Sequence, residues 1–126
     1  MKFTTPLAWF EIVTQDFDRA ISFYQSAFNI EFTRCDNEHM KMAIFPYEKE
    51  QVGGALVYSP CYKDHKPGAS TTIIYLNTAS VTKQLEIINN LGAKTIFPIT
   101  SIGENGYIAG FEDSEGNQVG LWSQNP

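Results

Sequence analysis

The chain has little that would tie it to nucleic acid. Lys and Arg number 9 against 14 Asp and Glu, giving a formal net charge of -5. Recognition of a phosphate backbone needs a basic surface or stripe. The nearest candidate, Lys63, His65 and Lys66, is too small to supply one. Long apolar runs are missing as well, and no window approaches the roughly 20 apolar residues that span a bilayer. The opening residues Met-Lys-Phe-Thr-Thr-Pro lack a signal-type apolar segment. Cysteine is limited to Cys35 and Cys61, with no CxxC or Cys/His spacing of structural zinc. The expectation is a reduced, cytoplasmic protein with no membrane and no nucleic-acid partner. Gly103-Glu104-Asn105-Gly106 matches neither GxGxxG nor a Gly-Lys-Thr/Ser ending, so nothing marks an NAD or ATP site.

What remains is a globular composition. The 126 residues are 43% apolar and 18% charged, enough for one domain with a real core. Leu7–Val13, rich in aromatic and β-branched residues, reads as a strand. Phe17, Ile21, Tyr24 and Phe28 then recur at helical spacing, with Asp16 as N-cap and Asn29 as a left-handed end. Strands follow at about 31–36, 40–46 and 52–58. Residues 59–70, with Ser59-Pro60 and Lys66-Pro67-Gly68, read as a loop. The same order then returns. Thr71–Asn77 is a strand, and Val81, Leu85, Ile88 and Leu91 mark a helix closed by Gly92. Strands fit at about 94–99, 106–112 and 118–122, the last two joined by the turn Asp113–Asn117. An offset of 64 carries Phe17, Ile21 and Tyr24 onto Val81, Leu85 and Ile88. It also carries Trp9, Glu11 and Val13 onto Ile73, Tyr75 and Asn77. Two strand–helix–strand–strand–strand units therefore fill the chain.

Three segments resemble a known family. Trp9-Phe10-Glu11-Ile12 followed by Asp16-Phe17-Asp18-Arg19-Ala20-Ile21-Ser22-Phe23-Tyr24 is similar to the opening of the glyoxalase/bleomycin-resistance/extradiol-dioxygenase superfamily, also called vicinal oxygen chelate. Gly106–Trp122 resembles its closing hairpin, and Tyr75-Leu76-Asn77 with Gly92-Ala93-Lys94 fits the start of its second module. The resemblance covers nearly the whole chain. It implies an α+β fold in which two βαβββ modules form an incomplete mixed-sheet barrel around a cleft. The modules would be residues 1–60 and 70–126, joined by loop 59–70, within one domain. Metal-dependent members place His or Glu ligands on the first and last strand of each module. Those positions correspond here to Trp9, Gly54 or Ala55, Ile73 and Gly120. Indole, alkyl and glycine cannot serve as ligands where zinc or nickel needs imidazole or carboxylate. No metal and no other cofactor is expected, and the family's Lewis-acid chemistry lacks its electrophile.

Strand alternation selects the candidate site. If the ligand positions face the cleft, so do Trp9 and Glu11, Ile73, Tyr75 and Asn77, then Gly120 and Trp122. This mixture of apolar walls and a few polar groups suits a small organic ligand. Glu11 is the candidate catalytic residue. A carboxylate in an apolar cleft has a raised pKa and suits a general base; the competing reading is a structural hydrogen bond or salt bridge. Tyr75 and Asn77 have structural readings too, a packed ring and a turn into the helix. Trp9 and Trp122 are packing residues or stacking platforms. Glycine at 53, 54 and 120 signals a bulge or a close approach by a strand or ligand. Cys61 and His65 sit in a loop that fixes no nucleophilic geometry, and His39 lies near a turn. The favoured expectation is binding of a small organic ligand in a metal-free cleft. The alternatives are a lactoylglutathione-lyase-like or dioxygenase-type enzyme, with an unconventional metal site or Glu11 as base, and an interaction protein. Exposed sheet edges suit a homodimer.

Overall fold

Capping residues set the helix limits. In the computed structural model, which describes residues 9–36, 38, 40–58, 60 and 73–126, helix α1 spans Phe17–Phe28. The Asp16 side chain accepts the Arg19 backbone N–H at 3.0 Å, and Asn29 ends the helix at φ 53°. Helix α2 spans Val81–Asn90, and Ser80 accepts the Lys83 N–H at 3.2 Å. The two N-caps are separated by the offset of 64 seen in the sequence.

Each helix connects two parallel strands through an antiparallel pair. Strands β1 (Trp9–Val13), β2 (Thr33–Arg34), β3 (Lys41–Ile44) and β4 (Gly53–Tyr58) form one sheet in the order β1-β4-β3-β2. Strands β5 (Tyr75–Asn77), β6 (Thr95–Ser101), β7 (Tyr107–Glu112) and β8 (Gln118–Ser123) form the other, in the order β5-β8-β7-β6. The fold is α+β, with two mixed sheets that do not close into a barrel. Each parallel pair ends on equivalent bonds: Thr14 N–H to Val57 O at 2.9 Å and Thr78 N–H to Trp122 O at 3.0 Å. The offset is thus 64 on the first strands and 65 on the last. Ala55 pairs with Glu11 as Gly120 pairs with Tyr75, which resolves the one-residue slip in favour of Ala55.

The helices bury slightly different stripes from those expected. In α1 the buried face is Phe17, Ala20, Phe23, Tyr24 and Ala27, with Ile21 and Phe28 at its margin. In α2 it is Val81, Gln84, Leu85 and Ile88. Leu91 lies beyond the last turn, 43% exposed. One apolar cluster joins both helices and both sheets, from Ile12 and Leu56 to Phe111 and Leu121. Leu7, Ala8, His39, Ser59 and residues 61–72, including Cys61, His65, Thr71 and Thr72, lie outside the described residues.

The β7–β8 turn locks the two sheets' helical sides together. The Glu115 side chain is 1% exposed. Its Oε1 accepts the N–H groups of Gln15 at 2.8 Å and Asp16 at 2.6 Å, where α1 begins. Its Oε2 accepts Arg19 Nε at 2.9 Å and the Ser114 hydroxyl at 3.0 Å. Asp113 accepts the Tyr24 hydroxyl at 2.9 Å and the N–H groups of Glu115 and Asn117 at 2.8 and 2.9 Å. Asn117 Nδ2 donates to Val13 O at 2.9 Å. Arg19 is 53% exposed at its side chain, so water screens the ion pair and the backbone bonds carry most of the tie.

Burial alone would raise Glu115, but Arg19, the Asp16 and Gln15 amides and Ser114 hold it below its ordinary 4.5. Asp113 moves the other way, because burial outweighs its hydrogen bonds and raises it above 3.8. Burial, with Asp113 alongside, pushes the Tyr24 phenol well up. Glu115 therefore contributes stability that is complete above its unfolded value and is lost as pH falls through its lower folded value. Asp113 has the opposite sign, costing stability as pH rises from 3.8 through its folded value. Glu115→Gln should cost about 1–3 kcal/mol near neutral pH. In urea titrations the gap from wild type should narrow on acidification through the Glu115 range. A gap independent of pH would mean that its charge does not matter.

Candidate functional site

The side chains picked out by strand alternation fall into two groups. The Trp9 indole N–H donates to Glu11 Oε2 at 3.3 Å, so these two share one face of the first sheet. Glu11 is exposed rather than enclosed by apolar neighbours within the chain. On the second sheet Tyr75 is 45% exposed, and its ring covers its register partner Gly120. Trp122 uses its indole N–H on Asn105 O at 2.8 Å, which ties β8 to the turn at Gly103–Asn105. Ile73 precedes β5 and is exposed.

A cavity of about 640 Å³ opens between the first sheet and β5. Phe10 of β1, Phe28 and Ile30 at the end of α1, and residues 45–47 and 51–54 line one side. Ile74, Tyr75, Leu76 and Asn77 line the other. Of the residues proposed from sequence, Tyr75 and Asn77 line this cavity; Trp9, Glu11, Ile73, Gly120 and Trp122 do not. Alternation missed Phe10 because it lies on the opposite face from Trp9 and Glu11. The Phe45-Pro46-Tyr47 segment carried a usable signal, two aromatic residues flanking a strand-ending proline after β3. A smaller cavity of about 310 Å³ lies at the end of α2, lined by Phe23, Leu91–Lys94 and Glu112–Ser114.

The aromatic wall is continuous with the core. Phe45 packs on Phe10, Tyr24 and Phe32, with ring centroids 5.5, 5.7 and 4.8 Å apart. Phe28 stacks on Tyr24 at 6.1 Å. Tyr47 stands edge-on to Trp9 at 6.2 Å. Such contacts fix ring positions and leave the wall preformed.

The strand glycines have a common explanation. Gly53, Gly54, Gly110 and Gly120 each sit beneath an aromatic ring of their direct cross-strand partner: Trp9, Phe10, Phe97 and Tyr75. The close approach is by the chain's own rings. The β1–β4 pairing runs without a bulge, and the register shifts fall between β6 and β7 instead.

The metal that the family resemblance implies does not fit these residues. The corresponding positions hold Trp9, Ala55, Ile73 and Gly120, and the Trp9 N–H is already donated to Glu11. Among the described residues no three His, Cys, Asp or Glu side chains converge.

The comparisons agree with this architecture. Residues 7–121 match the Glyoxalase/Bleomycin resistance protein/Dioxygenase superfamily, and the chain belongs to it. No curated protein matches. Among solved structures, a superfamily member from Sphaerobacter thermophilus is 21% identical with a TM-score of 0.73, covering 94% of this chain and 97% of that one. TnmS3, an antibiotic binding protein from Streptomyces sp. CB03234, is 18% identical with a TM-score of 0.72 over 98% and 99%. A glyoxalase I mutant from Zea mays is 23% identical with a TM-score of 0.69. The match covers 94% of this chain but only 46% of the maize chain, so this chain spans about half its length.

Gly54 borders both the cavity and the Phe10 ring. In Gly54→Ala the added methyl would collide with that ring, forcing it aside or opening the β1–β4 pair. The expected cost is about 1–3 kcal/mol by urea denaturation. A variant as stable as wild type would show that the ring yields freely and the wall is not rigid.

Proposed function

We propose that the protein binds a small organic molecule in the cavity between the first sheet and β5. The observation that carries this reading is the preformed aromatic wall of Phe10, Phe28, Phe45 and Tyr47 facing Tyr75 and Asn77 across about 640 Å³. That volume lies within the usual range for small-molecule sites, about 300–1,000 Å³. Apolar rings supply contact area, and the Asn77 amide and two phenols supply orientation. TnmS3, an antibiotic binding protein with this fold, supports a binding role for the cavity. In this reading Trp9, Glu11, Ile73 and Trp122 extend the ligand surface when a second copy pairs with the exposed sheet faces, while Gly120 stays covered by the Tyr75 ring.

A second reading keeps Glu11 as a general base. Its support is the indole N–H of Trp9, which orients the carboxylate on the sheet face. Glu11→Gln separates the two readings: under the second it abolishes turnover while ligand still binds, and under the first it alters affinity at most, with no turnover to lose.

Val52→Trp tests the first reading by filling the cavity from its wall. The wild-type protein should retain a small molecule from cell extract in native mass spectrometry, and the variant should lose it with its circular dichroism unchanged. Equal retention by both would place the ligand elsewhere.

A further inference from the structure

The charge pattern around the cavity narrows the ligand class, resting on the binding reading above. None of the described lining side chains is ionic; its polar groups are the Tyr47 and Tyr75 hydroxyls and the Gln51 and Asn77 amides. Gln51 is partly committed, because its Oε1 accepts the Glu48 N–H at 2.8 Å. Charge appears only beside the lining residues. Glu31 follows Ile30, and Glu48, Lys49 and Glu50 lie between Tyr47 and Gln51, all exposed. Among the described residues this border has three carboxylates against one ammonium, in a chain of net charge -5.

We propose that the cavity takes an uncharged aromatic molecule bearing an amide, carbonyl or hydroxyl, and discriminates against carboxylates and other anions. An anion moving among these rings would give up hydration with no cation among the described lining residues to replace it. It would also meet the negative faces of the rings and the acidic border. A neutral amide or hydroxyl loses less hydration and finds partners in Asn77 and the two phenols. A cation gains something from the rings and the border, but is still desolvated without an ionic partner. The carboxylate-bearing thiol conjugates expected of a lactoylglutathione-lyase-like enzyme fall in the disfavoured class.

Three probes of nearly equal shape test this: 2-naphthamide, 2-naphthamidine and 2-naphthoate, neutral, cationic and anionic near neutral pH. Calorimetric titration into the full chain should give tightest binding for the amide. The carboxylate should bind at least about tenfold more weakly, and the amidine should fall between them. Tyr47→Ala should weaken the amide, which locates binding at this cavity. A carboxylate or amidine bound as tightly as the amide would overturn the ligand class while leaving a binding cavity in place. No binding by any of the three to folded protein would overturn the cavity reading itself, and this inference with it.

Discussion

The buried carboxylate of Glu115 is the contact on which the rest of the arrangement turns. It sits in the β7–β8 turn yet accepts hydrogen bonds from the backbone at the start of α1, about a hundred residues away in sequence. Neighbouring Asp113 takes the hydroxyl of Tyr24 from the middle of the same helix. At the far end of α1, Gln84 of α2 donates to Ala27 O at 2.5 Å, and its Oε1 accepts Thr78 just after β5. Helix α1 is thus held along its length by groups from the second half of the chain. Each held group is a backbone amide, a backbone carbonyl or a buried hydroxyl, so loss of its partner leaves a desolvated polar atom.

That clamp has a consequence for the cavity. One wall includes the end of α1, and the other is β5. Gln84 bonds to Ala27, next to Phe28 of the first wall, and to Thr78, next to Asn77 of the second. A short polar bridge therefore ties the two walls together. A preformed site of this kind loses little ordering free energy on binding.

The fold was legible in the sequence because both its signals are periodic. The helical stripes and alternating strands recur with an offset of 64, and the N-caps Asp16 and Ser80 mark it independently. The site was only half legible. Tyr75 and Asn77, picked out by alternation, border the cavity because both lie on β5 itself. Alternation could not reveal Phe10 or Phe28, which line the cavity from the side that also builds the core. Nor does periodicity show that the glycines are covered by rings, since this depends on cross-strand register. Asp113–Asn117 read as a tight turn and nothing more; its role as a lock needs α1 brought beside it by folding. Leu91 continues the helical stripe in sequence but sits at the C-cap, just before Gly92 at φ 94°, and so is exposed.

Function in this family is decided by the residues on the fold, and here the positions that the resemblance assigns to metal ligands hold Trp9, Ala55, Ile73 and Gly120. The most direct measurement is a nitrogen-edited NMR titration of the full chain with a library of small neutral aromatic molecules. Binding in the proposed cavity predicts shifts concentrated at residues 45–54 and 74–77, with Phe28 and Ile30 at the edge. Shifts concentrated instead around Phe23 and Leu91–Lys94, or spread evenly over the surface, would contradict it.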